Sequence, residues 1–319
     1  MLSRPDICTN ITEAIGDTPL LALDRMRAGR SGRVLAKCEF MNPSGSMKDR
    51  MALQTIDDAE RSGRLKKGDT VIVLTSGNGG IALATVCAAK GYRIIVTMSE
   101  GNSVERRRII AALGAELVLV PQTPGSKPGQ VSHEDLELVD RKTVELTEKL
   151  HAFRVDQFKN ESNPRGNERT GEEIWKQSKG NVSAFTTLLG SSGSFTGVAR
   201  ALKAHKKEIR CYAVEPATAP FLSGGKVTNT SHKLQGGGYS QPLDLFDKGV
   251  CDGYISISDD EAVMTARVLA KKEGLLVGFS SGANVAAALK LSKDLSEDEA
   301  VVTLLPDTGL RYLSTDLYE

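Results

Sequence analysis

Short runs of β-branched and apolar residues alternate with amphipathic segments along almost the whole chain. The runs have the length and composition of buried strands, and the segments between them have the apolar spacing of helices. The strand-like runs are residues 33–40, 69–74, 92–98, 115–120, 184–189, 209–214, 253–257 and 300–305. The helix-like segments are residues 79–91, 103–115, 195–207 and 260–274. This alternation predicts an α/β fold, with parallel sheets covered by helices on both faces.

Length and charge narrow the kind of partner to expect. The chain has 319 residues, too many for one ordinary core and suited to two domains of roughly 100 to 200 residues each. Its net charge of +1 gives no large excess of positive charge of the kind that binds nucleic acid or an anionic membrane. Neither a signal peptide nor an apolar run of membrane-spanning length is recognisable. We therefore expect a cytoplasmic protein with a small-molecule partner, and no nucleic-acid or membrane binding.

The cysteines argue against disulfide and zinc chemistry. Five are present, an odd number, and they are widely scattered without CxxC or histidine-paired ligand spacing. We expect free thiols and no metal site.

The segment PSGSMKDR places Lys48 between a Gly/Ser turn and a helix-like segment. Ser46 can cap that helix, and a lysine in its first turn is unfavourable because the helix dipole already presents positive charge there. The same position suits a lysine that must be neutral to form a Schiff base with an aldehyde. A solvated surface lysine is the alternative interpretation.

Two further loops follow strands and open helices. In LTSGNGGIALA, Thr75, Ser76 and Gly77 with the helix N–H groups form donors suited to a carboxylate, although a routine polar turn has the same composition. In LLGSSGSFTG, small residues allow the backbone to approach a phosphate, although ligand-free Gly/Ser turns are common. This second loop lacks the lysine of a P-loop and the GxGxxG spacing of a dinucleotide site.

A fourth loop, VGFSSGA, carries Ser280 and Ser281 before an alanine-rich helix. It only loosely resembles a nucleophile elbow, and none of the four histidines lies in an obvious catalytic loop. We expect no serine-hydrolase triad, and one serine as a helix N-cap is the alternative.

Together, these loops resemble those of the cysteine synthase and cystathionine β-synthase family, the fold-type II pyridoxal phosphate enzymes. The matching segments are NPSGSMKDR, TSGNGGIALA, GSSGSFTG, VEPATAPFLSGG, HKLQGGG, EGLLVGFSSGA and PDTGLRYLSTDLYE, in the family's order and approximate spacing. The resemblance runs from Ile15 to the C-terminus. It implies two open, twisted, mostly parallel sheets flanked by helices, with the cofactor in the interdomain cleft.

The resemblance also implies the cofactor residues. Lys48 corresponds to the lysine that binds pyridoxal 5'-phosphate covalently, Asn78 to the partner of the ring hydroxyl, and Ser280 to the residue facing the pyridine nitrogen. The phosphate loop corresponds to Gly190, Ser191, Ser192, Gly193 and Ser194. A neutral serine hydroxyl does not enforce ring protonation, so the electron sink is moderate and suits β-elimination.

Substrate residues follow in the same way. Thr75, Ser76, Gly77 and Gln157 correspond to the clamp on the amino-acid carboxylate, and the substrate pocket further includes Gly79, Gly237 and Tyr239. The implied reaction is β-replacement on an O-activated serine, O-acetylserine or O-phosphoserine, through an α-aminoacrylate. Sulfide, which gives L-cysteine, is the expected nucleophile.

Three departures keep other nucleophiles open. Gly79 stands where the family usually has threonine, Asn102 where it usually has methionine, and Tyr239 where the synthases often have alanine and cystathionine β-synthases have tyrosine. Homocysteine, an amine, or a β-lyase reaction releasing pyruvate are the alternatives. An inactive scaffold homologue is disfavoured because Lys48, Asn78 and Ser280 are intact.

The domain boundaries expected from the resemblance are residues 1–40 plus 152–319 for a larger, cofactor-phosphate-binding domain and 41–151 for a smaller, mobile one. Family members are usually homodimers, so we expect the same assembly here. Since the sequence ends at Glu319, we expect no regulatory domain of the kind that some cystathionine β-synthases carry.

Overall fold

The structure is a computed structural model that describes residues 5–27, 29, 31–75, 77–124, 131 and 133–319. The strands, in chain order, are β1 (Leu20–Ala22), β2 (Arg33–Lys37), β3 (Thr70–Leu74), β4 (Arg93–Ser99), β5 (Glu116–Val120), β6 (Phe153–Val155), β7 (Ala184–Leu188), β8 (Arg210–Pro216), β9 (Gly253–Ile257) and β10 (Ala300–Leu304). The α-helices are α1 (Lys48–Arg61), α2 (Asn78–Lys90), α3 (Val104–Ala112), α4 (His133–Leu150), α5 (Ser162–Gln177), α6 (Gly193–His205), α7 (Asp259–Glu273) and α8 (Phe279–Ser292).

The chain forms two compact units. The small unit contains Met1–Ile15 and Lys48–Ser162, and the large unit contains Gly16–Met47 and Asn163–Glu319. The first fifteen residues thus group with the small unit, whereas the expected boundaries joined them to the larger domain. The reason is local packing, because the 3-10 helix Ile11–Ala14 contacts α2.

The small unit is built on a four-stranded parallel sheet in the order β5-β4-β3-β6. Its core contains almost the whole of α2, a helix rich in alanine and other apolar residues that is buried on nearly all sides. Up to Cys87 this helix has almost no solvent-exposed face, as expected for an element packed on the sheet between other helices. Gly91, at a φ of 77°, ends the helix in the left-handed conformation that glycine adopts without strain.

The large unit is built on a six-stranded sheet in the order β1-β2-β10-β7-β8-β9. Only the β1–β2 pair is antiparallel, and all other pairs are parallel. The central strands β7 and β10 are fully buried, and α8 packs against both. Asn284 of α8 joins them, since its side chain accepts a hydrogen bond from the Leu188 amide and donates one to the Leu304 carbonyl.

The α/β prediction is confirmed. All eight strands and all four helices expected from the sequence are present, with ends displaced by a few residues at most. The sequence-based assignment missed β1 and β6, which have only three residues each. Within the described ranges, no helix combines the length and apolar character that a membrane span requires.

Candidate functional site

Lys48 is the first residue of α1, directly after the Gly/Ser turn. It is half-buried, and this desolvation lowers the pKa of its amine from 10.5 to about 8. Roughly a tenth of such an amine is neutral at pH 7, and only the neutral form attacks an aldehyde. The position therefore suits a reactive lysine better than a solvated one.

The loop after β3 leaves the start of α2 open to an anion. Gly77 is the N-cap of α2 and provides no side-chain hydrogen bond to the first turn. Thr75 is buried, and its hydroxyl accepts the Gly77 amide at 3.3 Å. The first turn of a helix has N–H groups without an intrahelical acceptor, so this end can bind a carboxylate. Ser76, predicted to be part of the same clamp, lies outside the described residues.

The structure brings Gln157 to this loop. A Cβ added at Gly79 would lie 3.2 Å from Gln157 Oε1 and 3.2 Å from Thr75 Oγ1. Gln157 is far from Thr75 and Gly79 along the chain, and the fold brings its side chain to the first turn of α2. Asn78 begins the helix at the same place.

In the large unit, the loop after β7 leaves a second open helix start. Ser192, at a φ of 63°, is the N-cap of α6, and its side chain makes no capping hydrogen bond. Its hydroxyl donates to the Ser191 carbonyl at 2.7 Å instead. The N–H groups of the first turn are thus available to an oxyanion such as a phosphate.

Close packing explains the glycines of this loop. A Cβ at Gly190 would lie 2.5 Å from the Gly236 carbonyl oxygen, and one at Gly193 would lie 2.2 Å from Asn163 Oδ1. Asn163 also donates to the Ser191 hydroxyl at 2.9 Å. The loop of residues 190–194 therefore presents backbone groups that no side chain at Gly190 or Gly193 covers, and the buried Asn163 side chain holds it in place. This arrangement fits a phosphate group of the cofactor.

The predicted substrate segment at Gly237 and Tyr239 packs on the same end of β7. The Gly238 amide donates to the Leu189 carbonyl at 3.0 Å. A Cβ at Gly237 would lie 2.8 Å from the Leu188 side chain, so no larger residue fits. Tyr239 keeps 37% of its surface exposed.

Ser280 lies in the first turn of α8, half-buried. The N-cap of α8 is Gly278, without a side-chain capping bond, so the alternative in which a serine caps this helix is wrong. The neighbouring Ser281 hydroxyl is buried and has no hydrogen-bond partner among the residues that the structure describes. The serine hydroxyl groups at the start of α8 are suited to hydrogen-bond with a polar ring.

Two site residues were not found from the sequence. Asn163 supports the phosphate loop, and Arg106 of α3 packs on Gly77, with its Cδ 2.8 Å from the position of an added Cβ. Asn163 lies in the segment NESNP beside Gln157, which was a usable signal. Nothing in the local pattern of α3 distinguishes Arg106 from its two arginine neighbours.

The comparisons with known proteins decide the family. The model of the family described as pyridoxal-phosphate dependent enzyme matches residues 11–307. The chain belongs to this family. As a pyridoxal-phosphate dependent enzyme, it uses pyridoxal 5'-phosphate. The open start of α6 in the large unit suits the phosphate of this cofactor, and Lys48 in the small unit suits its aldehyde.

This pyridoxal-phosphate dependent enzyme is similar to cysteine synthases over nearly its whole length. A cysteine synthase of Staphylococcus aureus (strain Mu50 / ATCC 700699) is 43% identical over 311 residues, which are 97% of this chain and 96% of the relative. The crystal structure of an O-ureido-L-serine synthase is 40% identical with a TM-score of 0.88, covering 98% of this chain and 95% of that one.

The crystal structure of O-acetyl serine sulfhydrylase isoform 3 from Entamoeba histolytica is 36% identical with a TM-score of 0.90, covering 100% of this chain and 94% of that one. The resemblance to the cysteine synthase family and the fold-type II architecture are thereby confirmed. The chain is an enzyme of the pyridoxal-phosphate dependent family and is similar to cysteine synthases.

Proposed function

We propose that this enzyme converts O-acetyl-L-serine and sulfide to L-cysteine and acetate. The observation that carries the proposal is the pair of helix starts without side-chain caps, α2 in the small unit and α6 in the large one. Each follows a parallel strand and offers an anion site. The reaction needs two such sites, one for the carboxylate of the donor and one for the phosphate of the cofactor. The names of the similar proteins, cysteine synthase and O-acetyl serine sulfhydrylase, support the substrates.

The predicted site residues form two groups, one that binds the cofactor and one that binds the substrate. Lys48 would hold the aldehyde group of the cofactor, and Asn78 and Ser280 would bind its ring hydroxyl and ring nitrogen. Residues 190–194 would bind its phosphate. When bound, the cofactor supplies an electron sink for the pair released from the donor Cα–H bond.

Lys48 also moves the proton. Its Nζ would remove the Cα proton of the donor and later return it to the same carbon. A pKa of about 8 lets the amine accept and donate this proton near neutral pH. The Cβ–O bond to acetate breaks, the Cβ–S bond to sulfide forms, and the nucleophile gives up one proton.

The carboxylate of the donor binds at the start of α2. Thr75, Ser76, Gly77 and the Gly79 backbone supply donors, and the carboxamide of Gln157 completes the clamp. Gly237 and Tyr239 line the pocket beside the phosphate loop. This arrangement holds the donor by its α-carboxylate, which every amino-acid donor carries, and leaves Cβ free to react.

A second candidate is β-replacement with a larger nucleophile, such as homocysteine or an amine. The exposed ring of Tyr239 favours it, because a partly exposed aromatic side chain can contact a bulky group. The similarity to an O-ureido-L-serine synthase supports it as well, since that name describes a serine carrying a different β-substituent. Hydrolytic release of pyruvate, a β-lyase reaction, is the third candidate.

We also propose a cytoplasmic homodimer. All five cysteines are free thiols, which is usual in a reducing compartment. Closed two-fold dimers are the commonest assembly of soluble enzymes. Analytical ultracentrifugation of the purified enzyme measures the subunit number directly, and a monomer would contradict this part of the proposal.

The substrate proposal is tested by product analysis. The holoenzyme is given O-acetyl-L-serine or O-phospho-L-serine, each with sulfide, homocysteine or an amine, and amino-acid products and pyruvate are quantified. We expect cysteine from O-acetyl-L-serine and sulfide at the highest kcat/KM. Faster reaction with homocysteine or an amine would establish the second candidate, and pyruvate formed at the same rate without a nucleophile would establish the lyase. Lys48→Ala should abolish every product, whereas Lys67→Ala, at an exposed lysine beyond α1, should not.

A further inference from the structure

A run of three glycines, residues 236–238, directly precedes Tyr239 in the large unit. The Gly238 amide donates to the Leu189 carbonyl at 3.0 Å. Gly238 itself has a φ of 64°, in the left-handed region. Glycine has more conformational freedom than any other residue, so a run of three needs contacts to hold it if the next side chain is to keep one position.

The side chain of His232 supplies such a contact to the carbonyl group of Gly238. His232 Nε2 lies 3.2 Å from the Gly238 carbonyl oxygen. Since a carbonyl oxygen only accepts hydrogen bonds, Nε2 carries the hydrogen in this contact. The other ring nitrogen, Nδ1, is buried and has no hydrogen-bond partner within the described part of the chain. The imidazole therefore acts on this loop through Nε2.

The packing around this hydrogen bond is tight. A Cβ added at Gly238 would lie 2.6 Å from His232 Nε2 and 2.4 Å from Pro216 Cγ. The imidazole and the proline ring thus fill the space that a side chain at position 238 would need. Leu234, between His232 and Gly238 in the chain, is fully buried in a hydrophobic core of the large unit. The imidazole therefore donates to Gly238 from an anchored segment.

The hydrogen bond from His232 also restricts the residue after Gly238. The peptide group that joins Gly238 to Tyr239 is planar, so the direction of the Gly238 carbonyl also sets the direction of the Tyr239 N–H and the place of the Tyr239 Cα. The Gly238 amide is bonded to Leu189 at the same time. Both peptide groups that flank Gly238 are thus oriented, and the freedom that glycine would allow at this point is reduced.

We propose that His232 is a positioning residue that affects the choice of nucleophile by orienting Tyr239. The inference rests on the proposed function, in which Tyr239 lines the substrate pocket. A nucleophile larger than sulfide, such as homocysteine, has an alkyl chain that can contact the Tyr239 ring, whereas sulfide has none. Loss of the hydrogen bond from His232 should therefore slow reaction with the larger nucleophile and leave reaction with sulfide nearly unchanged.

Two substitutions of His232 separate the hydrogen bond from the bulk of the ring. In His232→Gln the side-chain amide nitrogen takes the place of Nε2 and can donate to Gly238, whereas in His232→Asn it takes the place of Nδ1 and falls short. With O-acetyl-L-serine as the donor, the ratio of kcat/KM for homocysteine to that for sulfide is measured. We expect this ratio to fall about fivefold in His232→Asn, the size of one neutral hydrogen bond, and to change less than about twofold in His232→Gln.

A matched histidine provides the control. His151 is exposed in the small unit and has a φ of 48°, a conformation that asparagine tolerates. His151→Asn should leave the ratio of homocysteine to sulfide turnover unchanged. An unchanged ratio in His232→Asn, or the same fall in His232→Gln as in His232→Asn, would overturn the proposal.

A double-mutant cycle assigns the effect to Tyr239. Tyr239→Ala should itself lower the ratio of homocysteine to sulfide turnover, because the ring is then absent. Adding His232→Asn in this background should change the ratio less than about twofold, because the side chain that it orients has been removed. An equal fall in both backgrounds would show that His232 acts by another route and would contradict the proposal.

Hydrogen exchange of the holoenzyme tests the positioning without turnover. The peptic fragment that contains residues 236–240 should exchange its amides about fivefold faster in His232→Asn than in the wild type and at nearly the wild-type rate in His232→Gln, because one hydrogen bond limits local opening. The fragment that contains β10 should be unchanged in both variants. Faster exchange throughout the large unit would mean that His232 only stabilises the fold, and the proposal would be wrong.

The outcome also separates this inference from the proposed function. If the wild type used homocysteine faster than sulfide, while the ratio fell in His232→Asn and recovered in His232→Gln, the substrate proposal would fail and the inference would stand. If sulfide were the best nucleophile and the ratio stayed constant in every His232 variant, the inference would fail and the substrate proposal would stand.

Discussion

The pKa of the Lys48 amine is lower than that of an ordinary lysine, so a larger fraction of the amine is neutral near pH 7. Its pKa of about 8 results from desolvation, which disfavours the charged ammonium form. The folded protein therefore binds fewer protons than the unfolded chain between pH 8 and pH 10.5, the ordinary value. Because stability rises with pH wherever the unfolded state binds more protons, this lysine destabilises the fold below pH 8 and the effect disappears as the pH rises to 10.5.

Capture of the cofactor should report this pKa. When pyridoxal 5'-phosphate is added to the cofactor-free enzyme, the rate of covalent attachment should rise with pH and level off above about 8, because the neutral amine is the nucleophile. Stopped-flow absorbance measures the rate, and borohydride reduction followed by mass spectrometry identifies the lysine. A rate still rising at pH 10 would show that Lys48 titrates as a solvated lysine, and an adduct in Lys48→Ala would remove it from this role.

At the scale of single elements, two helices depend on glycine at their starts. In α6, the N–H groups of the first turn are open because Ser192 directs its hydroxyl to the Ser191 carbonyl. Asn163 fills the space where a side chain at Gly193 would lie, and it is itself fixed, since it donates to the Ser191 hydroxyl and accepts from Asn167 Nδ2 at 3.3 Å. The helix start is thus preorganised before any anion binds.

Gly193→Ala should therefore weaken phosphate binding. The added methyl group pushes Asn163 away and disturbs the Ser191 hydroxyl, so the Kd of pyridoxal 5'-phosphate should rise at least about tenfold, as for the loss of one hydrogen bond to a charged group. Equilibrium dialysis of the cofactor-free enzyme measures it. Pyridoxal, which lacks the phosphate, is the matched ligand, and its affinity should be unchanged. An equal loss of affinity for both ligands would mean that the loop of residues 190–194 does not bind the phosphate.

At the scale of the whole molecule, the pKa values of the buried thiols reflect how well the hydrophobic cores of the small and large units exclude water. Burial raises the pKa of Cys38 to about 11 and those of Cys87 and Cys211 to about 12. These three side chains lie in hydrophobic cores of the small and large units. Cys8 and Cys251 are only half-buried.

A thiol reagent should consequently distinguish two groups of cysteines. At pH 8 the native enzyme should react rapidly at no more than two thiols, Cys8 and Cys251, and all five should react in denaturant, because the thiolate is the reactive form and the buried thiols remain protonated. Absorbance of the released aromatic thiolate counts them. Rapid modification of Cys87 in the native state would show that the small unit opens readily under these conditions.

Local chemistry determined much of what the sequence showed. The alternation of apolar runs and amphipathic segments predicted eight strands and four helices, because period and length are properties of each segment alone. The Gly/Ser loops and Lys48 were recognisable because small residues and a lysine at a helix start have local consequences. The three-residue strands β1 and β6 were not recognisable, because a run of three residues is too short to show the period of a strand.

The tertiary structure alone decided which side chains surround each loop. Sequence placed Gly79 in the substrate loop, and only packing showed that a Cβ there would lie 3.2 Å from Gln157 Oε1. It offered a serine as the N-cap of α8, whereas the N-cap is Gly278. Asn163 and Arg106 entered the site only when α5 and α3 were packed against their loops. The physical reason is the same in each case: strand period and turn chemistry are fixed within a few residues, while a contact such as that of Gln157 with Gly79 depends on how a whole sheet is assembled.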